Sequence, residues 1–164
     1  MIIGIYWGKG KPSDLTKFLQ SFLEAATATE ILKEGIIVKN TLKIIKIRSF
    51  ICDSPSRSFL KGVANFNSQH GCQKCTVEGQ YSYLSRTNYF PQKACEKRTD
   101  YGFRTKQDEL HHKYDSPLLK LPIDMIQDFP IGYSLHLLNL GIMKKILCGW
   151  RDGKFGNSKT KWKK

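Results

Sequence analysis

Leu42-Lys43-Ile44-Ile45-Lys46-Ile47-Arg48-Ser49-Phe50-Ile51-Cys52-Asp53-Ser54-Pro55 runs from an apolar, β-branched segment into a carboxylate and then into a helix start. Leu42 to Cys52 reads as a strand. Ile45, Ile47 and Ile51 share one face by period two, and Asp53 falls on the same side. A carboxylate at the C-terminal edge of a strand is where α/β folds present catalytic or metal-holding acids, because the strand fixes it and the following loop leaves it reachable. Ser54 as N-cap and Pro55 at the first helical position predict a short helix through Phe59, Leu60 and Val63.

Toward the N-terminus, Met1 to Tyr6 is a short apolar run ended by Gly8-Lys9-Gly10-Lys11-Pro12, a strand followed by a breaker-rich loop. Ser13 is placed to cap a helix, with Asp14 favourable to its dipole. Leu15, Phe18, Leu19, Phe22 and Leu23 then follow at helical spacing. Gly35 ends this helix. Ile36 to Val38 and Leu42 to Cys52 form either a hairpin around Lys39-Asn40-Thr41 or one long bent strand.

Toward the C-terminus, residues 64–128 are poor in helical period and rich in Asn, Gln, Tyr, Lys and Pro. A loop this long inside a domain needs a staple of its own. Cys72 and Cys75, spaced Cys-x-x-Cys, offer half of one, since two thiolates at this spacing can grip a Zn²⁺ ion. The other donors come from Cys95, His111, His112, His70 or His136. His111 and His112 are preferred, because the insertion has to fold back to close the site. Unpaired exposed thiols and a redox pair are the competing readings. The redox one is disfavoured because the pair sits in a polar, Gly-containing stretch rather than at a helix start after a strand. After Pro130 the period is helical, with Leu135, Leu138, Ile142 and Ile146 on one face and Gly149 as a stop.

The 164 residues carry 27 Lys+Arg against 14 Asp+Glu, a formal charge of +13. Such an excess points to a polyanionic partner, above all DNA, since phosphates neutralised by Lys and Arg release counterions. Residues 151–164 hold six Lys/Arg against Asp152 alone, lack apolar period and read as a disordered basic tail. No apolar run approaches the roughly 18 residues of a membrane helix, and Met1 to Trp7 is too short and lacks the basic flank of a signal peptide. Five cysteines, one tight pair and three singles, fit a reducing compartment better than a disulfide framework. The expectation is an intracellular, soluble chain with no small-molecule substrate.

Four segments then carry a resemblance. They are Ile3 to Asp14, Phe50 to Phe59, His70 to Gly79, and His136 to Lys145, the last reading His-Leu-Leu-Asn-Leu-Gly-Ile-Met-Lys-Lys. In this order they resemble successive blocks of CACTA-type (En/Spm-like) DNA transposases and their animal relatives, across about residues 2–150. The resemblance implies an α/β fold: a partial RNase H-like core over residues 1–63, a zinc-knuckle insertion over 64–128, a helical segment over 129–150 and the basic tail over 151–164. It places the second catalytic acid of that core on Asp53. It also implies Mg²⁺ as the catalytic ion, DNA as substrate and the nucleus as location, with Lys159 to Lys164 a weak import signal.

Two Mg²⁺ ions need several convergent carboxylates. The resemblance puts the first acid ahead of the strand beginning at Met1 and the last beyond the lysine-rich tail. It also puts an Asp shortly before His136, where this chain reads Gly132-Tyr133-Ser134-Leu135. The expectation is therefore a transposase-derived fragment, catalytically silent alone, that retains DNA affinity and self-associates or borrows strands from a partner. In such a chain Asp53 would do no more than stabilise the helix that follows it. The alternative is a small basic zinc-binding interaction module without catalysis.

Overall fold

The computed structural model describes residues 10–27, 31–132 and 135–153, with the side chains of 26, 27, 31, 33 and 135–137 left aside. The strand expected over Met1 to Tyr6 and the tail beyond Gly153 lie outside the described residues, as does the side chain of His136. The chain divides into two units, one ending at Phe129 and the other beginning at Pro130.

In the first unit, helix α1 (Leu15–Thr27) turns Leu15, Leu19 and Leu23 inward, while Phe18 of the same predicted face is exposed. The cap is Asp14, not Ser13: its carboxylate accepts from Lys17 N at 3.0 Å. A short helix α2 (Ile31–Glu34) ends at Gly35, whose φ of 79° is left-handed. Strands β1 (Ile36–Val38) and β2 (Thr41–Lys43) pair antiparallel across a Lys39-Asn40 turn, with both turn residues at positive φ. That is a type I′ pattern, suited to the strand twist.

The strand expected to run to Cys52 stops at Lys43. From Ile44 to Asp53 the backbone has no regular secondary structure, and the facing of its side chains changes. Ile47, Phe50 and Cys52 pack on the core, and Ile51 is exposed. Phe50 sets this new register by donating its N–H to Asp128 O at 2.7 Å and stacking on Phe129 at 4.9 Å. Packing on one aromatic ring outweighs continuation of the period-two pattern.

Helix α3 (Ser54–Lys61) follows. After it come β3 (Gln80–Ser82) and β4 (Thr87–Tyr89), an antiparallel hairpin, then α4 (Asp100–Arg104) and 3-10 turns at Glu109–His111 and Pro117–Lys120. The two hairpins are the sheets among the described residues. The core joins α1 to Val63, Phe103, Leu118, Leu121, Ile123, Met125, Ile126 and Phe129. Residues expected in the insertion thus supply much of the same core as α1.

In the second unit a π-helical stretch, Leu135–Met143, runs into α5 (Lys144–Arg151). Gly149 does not stop it. The helix ends at Arg151, and the left-handed residue is Gly153. Among the described residues no helix is long and apolar enough to cross a membrane.

Candidate metal centre

Cys72 and Cys75 sit in a loop held from both ends. Upstream, Ser68 N and Ser68 Oγ both donate to Asn65 O, and Gly71 N donates to Ser68 O. A Cβ at Gly71 would collide with Asn65 O, so only glycine lets the turn close this tightly. Downstream, Thr76 N donates to Glu96 O and Arg98 N to Lys74 O, with a Cys75–Lys97 bridge between them. Arg98 adds Nε to Cys72 O at 2.9 Å and Nη2 to Asp108 at 2.6 Å.

This frame brings the two sulfurs to 3.2 Å. A disulfide would need about 2.05 Å. Two thiolates at about 2.3 Å from one tetrahedral Zn²⁺ lie about 3.8 Å apart, so the pair would have to open by about 0.6 Å. Burial raises the Cys72 pKa above the ordinary thiol value, and the shared hydrogen bond with Cys75 adds to this; the backbone N–H groups of Lys74 and Cys75 pull it back. Both donors would stay in place to stabilise a thiolate once a cation displaced the proton.

His111 is fully buried. Its Nδ1 lies 2.7 Å from His70 O, while Nε2 has no hydrogen-bond partner among the described residues. A ring nitrogen spent on a carbonyl with the other left bare is the habit of a metal-ligating imidazole. Burial holds its pKa down to about 4, with Arg98 and Lys61 adding repulsion, so the ring is neutral at pH 7. His112 instead tilts over Phe103 at 4.6 Å. Cys95 is exposed, and His70 Nε2 lies 3.8 Å from Glu78. Among the described residues, no three His, Cys, Asp or Glu side chains gather as one metal-holding group. Cys72 and Cys75 are thus brought together, and His111 and His112 are not brought to them.

Asp53 is the N-cap of α3. Its Oδ1 accepts from Ser56 N at 2.7 Å and its carbonyl from Arg57 N at 2.9 Å. The sequence put the cap one residue later, on Ser54. A carboxylate is the better acceptor for the positive helix end, and Pro55 fits either register.

Sequence reasoning missed what lies beneath α3. Ser54, Arg57, Ser58 and Lys61 form an i, i+3, i+4, i+7 stripe, and Arg57, Ser58 and Lys61 of this polar stripe, not Phe59 and Leu60, take the buried positions. Lys61 is 1% exposed, its Nζ 5.1 Å from the Phe103 ring centre and 5.5 Å from that of Phe129. Burial first, then repulsion from Lys74, Arg57 and Arg98, brings its pKa down to about 7, against the pull of Asp124. Gln73 ties the cysteine loop to this stripe through Nε2 to Ser58 Oγ at 2.9 Å. Lys74 donates to Ile126 O. The signal was present as the stripe's spacing, but an all-polar face ordinarily means solvent.

Compared with family models, curated proteins and solved structures, the chain finds no match.

Proposed function

We propose that this chain is a DNA-binding protein derived from the catalytic domain of a CACTA-type transposase, carrying a structural zinc on Cys72 and Cys75 and catalytically silent alone. The observation that carries the zinc reading is the sulfur pair at 3.2 Å with two backbone N–H groups facing one of them. His111, whose Nε2 has no partner among the described residues, would have to move toward the sulfurs to serve as a third donor. The formal charge of +13 supports DNA as the partner. In this reading the chain retains a partial RNase H-like core and acts in the nucleus.

Asp53 supports the silent reading, because its carboxylate already serves the α3 N-terminus. A single carboxylate leaves most of a Mg²⁺ ion's octahedral shell to water and holds no second ion for a leaving oxygen. Supercoiled plasmid should therefore stay intact with Mg²⁺ or Mn²⁺, for wild type and Asp53→Ala alike.

The purified, reduced chain should hold zinc that Cys72→Ser removes, and chelation should lower its melting temperature, because binding energy here is folding energy. DNA affinity should fall linearly with salt on logarithmic axes and show little sequence preference. A zinc content near zero would remove the metal from this account. Metal-dependent nicking lost in Asp53→Ala would refute its silence, and tight binding to anionic vesicles but not to DNA would overturn the partner.

A further inference from the structure

Residues 79–95 contain no acid. They hold Tyr81, Tyr83, Tyr89 and Phe90 together with Arg86 and Lys93. The β3–β4 hairpin gives them a fixed frame: Gln80 pairs with Tyr89, Tyr81 with Asn88 and Ser82 with Thr87. Asn88 Nδ2 donates to Asn67 O at 2.7 Å, which fastens the hairpin to the body of the first unit. On the other face Tyr89 OH donates to Gln80 Oε1 at 2.7 Å.

Tyr81 and Tyr83 project from the same face, two residues apart, with ring centres 5.1 Å apart and planes at 86°. Tyr83 is 88% exposed and Tyr81 52%. Behind them lies an open cleft of about 730 Å³, lined in part by Gln80, Tyr81, Asn88 and Lys93, with Glu78 and Glu96 on its wall. That is within the range of ligand-sized clefts.

Aromatic rings held this far into water are a cost unless something covers them. Their neighbours here are Ser82, Ser85, Thr87 and Asn88, with Arg86 in the turn and one further apolar side chain, Leu84, at the exposed tip. A protein interface has an apolar core at its centre. Isolated rings interleaved with cations and hydrogen-bonding groups suit a nucleic-acid strand, whose bases stack on ring faces while its phosphates meet Lys and Arg. A duplex hides its base faces, so only an unpaired strand can use such rings.

We propose that the β3–β4 hairpin is a stacking platform for single-stranded DNA, with Tyr81 and Tyr83 taking bases and Arg86 taking phosphates. The proposal rests on the DNA-binding reading above and adds the state of the strand. The acid-free composition of the hairpin, its exposed ring pair and its hydrogen bond to Asn67 are the features that carry it.

The test is fluorescence anisotropy of the full chain with a labelled oligothymidine of about sixteen nucleotides and with a duplex of the same length. Tyr81→Ala and Tyr83→Ala should each weaken single-strand binding by roughly tenfold and leave duplex binding unchanged, while Tyr83→Phe should retain wild-type affinity. Tyr83 is too exposed for its loss to unfold the chain, and unchanged melting temperatures confirm that the variants compare folded proteins. Unaltered single-strand affinity in both alanine variants overturns the platform and leaves the DNA reading standing. Parallel losses on both DNA forms overturn it too. Self-association abolished by Tyr83→Ala with single-strand affinity unmoved would assign the face to a second copy instead. Wild-type protein that binds neither DNA form removes the DNA reading along with the platform.

Discussion

Helix α3 and the β3–β4 hairpin invert the usual placement of side chains in opposite directions. The helix buries Arg57 and Lys61 and leaves Phe59 and Leu60 only half-covered, whereas the hairpin leaves Tyr83 and Leu84 almost wholly in water. Buried charge and exposed rings are the two exceptions that carry information about a protein. In α3 the exception is internal: Lys61 meets the Phe103 and Phe129 rings, and the cysteine loop reaches the same stripe through Gln73. Changes there should move stability. In the hairpin the exception faces outward, and changes there should move binding.

The largest effect should come where α3 ends. Gly62 has φ of 69°, accepts N–H groups from Lys113 and Tyr114, and closes the helix with its own N–H to Phe59 and that of Val63 to Ser58. A Cβ at Gly62 would collide with Tyr114 O. Gly62→Ala should cost roughly 2–4 kcal/mol in denaturant unfolding, from left-handed strain plus displaced backbone. Leu84→Ser at the hairpin tip should stay within about 0.5 kcal/mol. Comparable losses at the two sites would erase the contrast between the regions.

Lys61 gives the next effect, and its sign follows from its lowered pKa. Between the folded value of about 7 and the unfolded value of about 10.4 the unfolded chain binds more protons, so stability should rise with pH across that window. His111 acts at the acid end. Its folded value of about 4 lies below the ordinary one, so stability should fall as pH drops from about 6.5 toward 4. Lys61→Met should abolish the alkaline rise and leave the neutral-pH midpoint equal or higher, since a well-fitting apolar chain replaces a buried cation among cations. A Lys61→Met protein that is less stable and keeps the wild-type slope would show that the two ring faces outweigh burial.

Asp53 should give the smallest change. Asp53→Ala removes one cap hydrogen bond and should lower stability by about 1 kcal/mol, with Asp53→Asn retaining most of it. A loss several times larger would mean that this carboxylate has work beyond the helix N-terminus, and would reopen its assignment.

Local chemistry was legible wherever one or two residues decide the outcome. The starts of α1 and α3, the Lys39-Asn40 turn and the nearness of Cys72 to Cys75 all depend on backbone preferences and short spacings. Both caps moved by one residue, from Ser13 to Asp14 and from Ser54 to Asp53, because a carboxylate serves a helix N-terminus better than the adjacent hydroxyl. The β3–β4 hairpin went unread, since Tyr83-Leu84-Ser85-Arg86 lacks the Asn-Gly or Asp-Gly signature of a short turn. The end of the Leu42–Cys52 strand was equally hidden: Phe50 leaves the pattern to stack on Phe129, 79 positions away along the chain.

The sequence by itself determined the charge of the chain, the helix and turn signals, and the pairing of two thiols on one loop, because each is a property of residues close together in the chain. Tertiary structure decided which face of α3 turns inward, that none of the predicted histidines gathers with the cysteines among the described residues, and that residues 118–129 share a core with α1. Those outcomes depend on which distant surface covers a side chain. A stripe of Ser, Arg, Ser and Lys looks solvent-facing until the rings of Phe103 and Phe129 close over its last residue.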